Sequence, residues 1–199
     1  MNATHRICAA ALTLCLGAAL AGTAVADTLT GDLDHSSSEF VATHLTISSV
    51  HGTIPVKSWS ATTGAGDIPT SVTATLDAQG LDTKSADRDH DLHGADWFDV
   101  TKYPTITFKS TSVVPGQNGA FKLIGDLTIH GVTKPVTLDG KVVGSIVDGH
   151  GHRHVGYTAT TTIDRRDFGL TWGHTTPAGV YIVGNDVTIT INAEGIVTN

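Results

Sequence analysis

Alternation with a period of two residues is the feature that most narrows what this chain can fold into. Across residues 71–77, Val72, Ala74 and Leu76 alternate with Ser71, Thr73, Thr75 and Asp77. Phe121, Leu123, Leu127 and Ile129 do the same against Lys122, Asp126 and Thr128, as do Val187, Ile189 and Ile191 against Thr188, Thr190 and Asn192. Successive side chains of an extended chain point to opposite faces, so each run predicts a strand with one apolar and one polar side. Weaker runs cover 39–45, 53–60, 105–113, 133–147 and 155–163, and threonine supplies much of the polar face, where a β-branched side chain packs well. Gly64-Ala65-Gly66-Asp67, Pro115-Gly116-Gln117-Asn118-Gly119, Asp139-Gly140 and Asp148-Gly149 stand between runs and read as turns.

Two stretches interrupt the pattern. Residues 82–97 are rich in Asp, Lys, Ala and Arg, and Asp82 or Ser85 is placed to cap a short helix with Leu92, Trp97 and Phe98 on its apolar side. Residues 167–179 carry Phe168, Trp172 and three glycines. About eight half-apolar strands cannot be covered by one short helix, so the sheet must cover itself, as a closed barrel or as a sandwich. Periodicity does not choose between them. An apolar eight-stranded barrel is either filled by its own side chains or holds one small ligand. Hydrophobic residues make up 40% and charged ones 16% of the 199, a balance that excludes a disordered chain. A formal charge of −7 argues against a nucleic-acid binder.

The first 26 residues read as an export signal: His5 and Arg6, an apolar stretch over 7–20, and Ala24-Val25-Ala26 before an expected cleavage at Asp27. The apolar stretch is shorter than the roughly 20 residues of a membrane span, and no later segment is apolar enough to be one. Residues 27–199 are then one exported domain. Both cysteines, Cys8 and Cys15, fall within the leader, so that domain must be stabilised by its core without disulfides.

Several ordered blocks carry a family likeness: Asp34-His35-Ser36 followed by Phe40 and His44; Arg88-Asp89 through Leu92; Asp96-Trp97-Phe98-Asp99-Val100-Thr101-Lys102-Tyr103-Pro104 and on to Ser110; Gly125 to Val136, with Ile129-His130-Gly131-Val132-Thr133-Lys134-Pro135 at its centre; Ile163-Asp164-Arg165-Arg166-Asp167-Phe168-Gly169; and Val183-Gly184-Asn185-Asp186-Val187. In these the chain resembles the YceI-like family of exported bacterial proteins. It departs from the family pattern at Gly52-Thr53-Ile54 and at Trp97-Phe98, where the family tends to have Gly-x-Phe and Phe-Phe. The resemblance implies an all-β, lipocalin-like antiparallel barrel of about eight strands with one or two short helices. It also implies a periplasmic location and a polyisoprenoid ligand, such as a polyprenyl phosphate or a quinone tail, with no other cofactor. The state of assembly is left open, a homodimer being the form considered.

Burial of an isoprenoid stabilises at roughly 25 cal/mol per Å² of apolar area, so it needs few polar contacts beyond some at the mouth of a pocket. Phe40, Phe98, Phe108, Phe121, Phe168 and Trp172 are the aromatic candidates for the lining, with core filling as the alternative reading of each. Phe40, Ala42 and His44 share a strand face; His44 is either a hydrogen-bond donor to a ligand oxygen or a core histidine satisfied by backbone or by Asp34. Arg88, Arg165 and Arg166 are candidates for an anionic head group, since guanidinium forks match phosphate oxygens, although Asp164 and Asp167 offer ion pairs instead.

Ten of the eleven histidines lie beyond the leader, and His150, His152 and His154 alternate so that an extended segment would present them together. Without cysteine or a visible carboxylate framework, no metal site is assigned from this spacing. A competing reading is a histidine-rich metal-binding or stress-buffering protein with a solidly packed barrel, and a third is an interaction module using the barrel mouth. No enzyme is expected: Asp34-His35-Ser36 has the residue types of a hydrolase triad, but neighbours on a strand face opposite ways, and no nucleophile elbow, zinc-protease helix or phosphate loop is present.

Overall fold

The alternating runs become nine strands in a single antiparallel sheet that closes on itself. The structure is a computed structural model that describes residues 26–198, so the expected leader, apart from Ala26, lies outside the described residues. The strands are β1 (Asp27–His44), β2 (Ser48–Thr53), β3 (Val56–Thr63), β4 (Pro69–Asp77), β5 (Thr105–Pro115), β6 (Ala120–Ile129), β7 (Val132–Val147), β8 (Arg153–Asp164) and β9 (Val183–Val197). The helix α1 (Ala86–His93) lies in the excursion between β4 and β5.

Closure comes from β1, which pairs with β9 along most of its length, from Leu29 opposite Val197 to His44 opposite Val183. On its other edge β1 meets two strands in succession: its first residues pair with β3 and its last with β2. These two therefore share one place in the wall, interrupted at Ile54-Pro55, and the barrel has eight positions around its circumference. Proline cannot donate to a ladder; here the Pro55 carbonyl accepts the Asp77 amide at 2.9 Å.

The strongest runs behave as their pattern predicts. Along β6 the positions Phe121, Leu123, Gly125, Leu127 and Ile129 are all buried while Lys122 and Asp126 are exposed. Other readings need correction. β1 begins at Asp27, well before the predicted run, and carries a bulge in which the segment from Asp32 to Ser37 spans only Glu194 to Asn192 of β9. Residues 48–53 form a strand that alternation did not reveal. Asp139-Gly140 is no turn but the middle of β7, with Gly140 opposite Phe121. A Cβ at Gly140 would come within 2.2 Å of the Phe121 ring, so glycine serves there as a notch for an aromatic side chain. The helix starts at Ala86 and ends before Trp97 and Phe98; Ser85 is its N-cap residue without a side-chain hydrogen bond, and Asp82 instead accepts the Lys84 amide. Among the described residues no helix is long and apolar enough to cross a membrane.

Two apolar clusters divide the interior along the barrel axis. One lies at the end bearing α1 and includes Ile106, Leu127, Ile129, Ile163 and Phe168. The other, at the opposite end, is built on Leu29, Trp59, Phe121, Val155 and Tyr157. In the second, Tyr157 is met edge-on by Trp59 and by Phe121, with ring centroids 6.2 and 6.3 Å apart. Both polar tips are satisfied: Trp59 Nε1 donates to Ser36 Oγ at 3.0 Å, and the Tyr157 hydroxyl donates to the Asp67 carbonyl at 2.8 Å. Burial pushes the Tyr157 pKa up, so the phenol stays a donor.

Candidate functional site

The end bearing α1 is hollow. A cavity of about 490 Å³ runs inward from the rim, within the range of small-molecule pockets. Its walls are the inward faces of the strands, with residues such as Leu76, Ile106, Leu127, Val136, Ile163 and Ile189. Period-two alternation places each of these inside and its neighbours outside. Phe40 and Phe108 narrow the bore without closing it, because each ring lies back against a glycine of the adjacent strand. A Cβ at Gly52 would stand 2.3 Å from the Phe40 ring, and one at Gly125 would stand 2.5 Å from that of Phe108. A second cavity of about 90 Å³ lies among Trp59, Phe121 and Tyr157 and shares Val72, Ala74, Leu123, Ala159 and Ile191 with the first, so the two stand in file.

Polar groups gather at the rim. Arg165 sits where β8 passes into a short 3-10 turn, and Gly169, in the left-handed region at φ 78°, closes that turn. Its side chain is 3% exposed and faces no carboxylate at ion-pair distance among the described residues. Its guanidinium donates to the carbonyls of Gly184, Leu170 and Val183 and to Asn185 Oδ1. It also lies over the Trp97 ring at 5.3 Å. Burial lowers its pKa, with the Asp164 carboxylate opposing that shift. A buried cation held by dipoles alone lacks a full counter-charge, and a guanidinium's five N–H groups outnumber these four acceptors.

Arg88, on α1, also lines the cavity. It donates to Thr83 Oγ1 at 2.7 Å and to the Thr83 carbonyl at 2.8 Å, while the Thr83 hydroxyl and amide both donate to Asp89 Oδ1. This arrangement leaves further guanidinium N–H groups for a ligand. Trp97 and Trp172 stack across the rim with centroids 5.0 Å apart.

The structure therefore brings Phe40, His44, Phe98, Phe108, Trp172, Arg88 and Arg165 to one cavity. It does not bring the other three candidates there. Phe121 belongs to the packed end and touches only the smaller cavity. Phe168 is 2% exposed, packed into the apolar cluster at the α1 end, and does not line the cavity. Arg166 points outward and grips Asp164, with Nε 3.0 Å from Oδ1 and 3.1 Å from Oδ2. Arg165 and Arg166 are the first two residues of the 3-10 turn, where successive side chains point about 120° apart, so Arg166 projects outward when Arg165 faces the cavity. His44 lines the cavity and its ring makes no hydrogen bond among the described residues, so neither backbone nor Asp34 satisfies it. Sequence reasoning missed Thr43 and Asp91, which also line the cavity, and the floor formed by Trp59 and Tyr157. Period two alone marks Tyr157, between Val155 and Ala159, as inward-facing.

A closed antiparallel barrel with an apolar cavity, and with Arg88, Arg165 and paired tryptophans at its rim, has a lipocalin-like architecture. The family model for the YceI-like domain matches residues 29–195, and the chain belongs to that family. It is 36% identical to a UPF0312 protein of Vibrio cholerae over 68% of this chain and 72% of that one. Among solved structures it is similar to the YCEI protein of Campylobacter jejuni, with a TM-score of 0.65 and 28% identity, covering 79% of this chain and 90% of that one. It is also similar in fold to a polyisoprenoid binding domain from Saccharophagus degradans, with a TM-score of 0.62 and 13% identity over 85% and 98% of the two chains.

Proposed function

We propose that this protein is a binding protein, not a catalyst, and that it holds a long isoprenoid lipid with its tail in the cavity and its head group at the rim. The observation that carries this reading is the lining of the 490 Å³ cavity: aliphatic and aromatic along its depth, with polar side chains such as Arg88, Arg165 and His44 near the opening. Burial of the tail supplies affinity in proportion to area, at roughly 25 cal/mol per Å². The spare guanidinium donors of Arg88 and Arg165 suit a phosphate, and the unbonded His44 ring suits a phosphate or a quinone oxygen. The polyisoprenoid named for the Saccharophagus domain, which shares this fold, supports the same ligand class. In this proposal residues 1–26 direct export and the protein carries or sequesters its lipid in the periplasm. The hollow end disfavours the competing reading, which needs a barrel packed throughout.

Organic extraction of the purified protein followed by mass spectrometry tests the proposal. An isoprenoid at about one per chain supports it; a protein that yields no lipid and takes up none from isoprenoid-doped vesicles overturns it. Phe108→Asp should abolish retention while circular dichroism reports an intact barrel. Leu127→Asp, on a different strand, repeats the test should Phe108→Asp unfold.

A further inference from the structure

The outer wall at the packed end holds a cluster that the lipid cavity does not use. Asp32 of β1 stands directly opposite Glu194 of β9, and Glu194 stands opposite Gly156 of β8, two residues from His154. All three side chains leave the same side of the wall, since the intervening Val155 and Gly195 are buried. One ligand atom from each of Asp32, His154 and Glu194 lies within 4.8 Å of the others, and His154 Nδ1 is 2.8 Å from Glu194 Oε1. Tetrahedral coordination with bonds of about 2.0–2.1 Å separates ligand atoms by roughly 3.3 Å, which small rotations of these side chains provide.

Each member is oriented by a further group, as ligands of a metal usually are. Asp32 Oδ1 accepts the amides of Asp34 and His35 at 3.1 and 3.3 Å from within the β1 bulge, and its Oδ2 meets His35 Nδ1 at 2.9 Å. His154 turns its second nitrogen, Nε2, to Asp148 Oδ2 at 3.2 Å, the carboxylate–histidine relation that fixes a metal-bearing ring. Asp148 is held in turn by the amides of His152 and His150 at 2.9 and 2.8 Å, and these bonds bring its pKa down to about 2.

The partners of these carboxylates agree with the donor geometry. Among the described residues Asp32, Asp148 and Glu194 form ion pairs only with histidines, while Arg153 beside them is committed to Asp27 and Asp67. An imidazole can exchange its proton for a metal ion, whereas lysine or arginine would hold such a site closed.

We propose that Asp32, His154 and Glu194 form a site for a divalent transition ion of the zinc class, with Asp148 and His35 as positioning residues. Nitrogen and carboxylate donors without thiolate suit borderline ions of this kind. The site lies on the face of the barrel wall opposite the lumen, at the end away from the mouth, so metal and lipid bind independently.

The test uses untagged protein stripped with a chelator and titrated with Zn²⁺ by calorimetry. The expected result is one Zn²⁺ per chain, with affinity falling by about a hundredfold in His154→Ala and Glu194→Gln and roughly tenfold in Asp148→Asn. His90→Ala, on α1, leaves it unchanged, and extractable lipid is the same in all four. Circular dichroism establishes that each variant is folded, and Asp32→Asn supplies a replacement for any that is not. Absence of Zn²⁺ binding overturns the proposal. So does binding that survives His154→Ala yet is lost in His150→Ala, which would place the ion on the β7–β8 turn alone.

Discussion

The two ends of this barrel are built from the same strands with the same alternation, yet one encloses a cavity of about 490 Å³ and the other only one of about 90 Å³. Along β6, Phe121 at one end and Leu127 at the other both face inward, and both are more than nine-tenths buried. What differs is the size of the inward groups they meet. At the filled end Trp59, Phe121 and Tyr157 converge on one level and interlock edge to face. At the hollow end the inward residues are mainly Val, Ile and Leu, and the rings of Phe40 and Phe108 are drawn back onto glycines. Closure of the sheet is thus a property of the backbone pattern, whereas the presence of a void is a property of side-chain volume.

The sharpest way to break this comparison is to remove one ring from each end. Phe121→Ala should destabilise the protein by about 3–5 kcal/mol, the cost of emptying a packed site. Phe108→Ala, which enlarges an existing void, should cost clearly less, by urea denaturation of both variants. Equal losses would mean that the hollow end is as tightly packed as the other.

Filling glycine notches gives the next effect. Gly140→Ala forces the Phe121 ring to move within a packed end and should cost about 1–3 kcal/mol. In Gly52→Ala the Phe40 ring has open space to swing into, so thermal unfolding should change less and the loss should appear as reduced lipid per chain. Arg88→Gln should leave stability nearly unchanged and lower the share of phosphorylated over neutral isoprenoid recovered in the extract. The reason is that its structural bonds go only to Thr83.

The smallest effect concerns pH. Arg166 holds the Asp164 carboxyl below its ordinary 3.8. A depressed carboxylate contributes stability that is present above the unfolded value and is lost as pH falls through the folded one. Asp164→Asn should therefore flatten the acid limb of the stability curve below about pH 4, by less than about 1 kcal/mol because the pair is largely solvated.

How far the sequence revealed all this follows from the same physics. β4, β6 and β9 were legible because strict alternation reflects one buried face. β2 was not, because in its six residues Val50 alone is apolar and large, too little to display an alternating face. Asp139-Gly140 was misread because the dipeptide that favours a hairpin also suits a strand pressed by a neighbouring ring. At the site, parity put Phe40 and His44 on one strand face, and both line the cavity, but separating Arg165 from Arg166 required knowing that β8 gives way there to a 3-10 turn. Phe121 and Phe168 carried no sequence mark of their height along the axis. The carboxylates around His154 were hidden for another reason: Asp32 and Glu194 lie far from it in the chain and meet it only when the sheet closes.

The division of one wall position between β2 and β3 has a mechanical consequence. Away from the rim the circumference is a continuous ladder, but beside β2 the neighbouring strand is replaced by residues 78–104, joined to it by the reciprocal backbone pair of Thr53 and Asp82 at 2.9 and 3.0 Å. Prising the ring apart at that seam breaks two backbone hydrogen bonds instead of an entire zipper. The ring is therefore held most weakly at this rim, while the opposite rim is bound by full strand ladders.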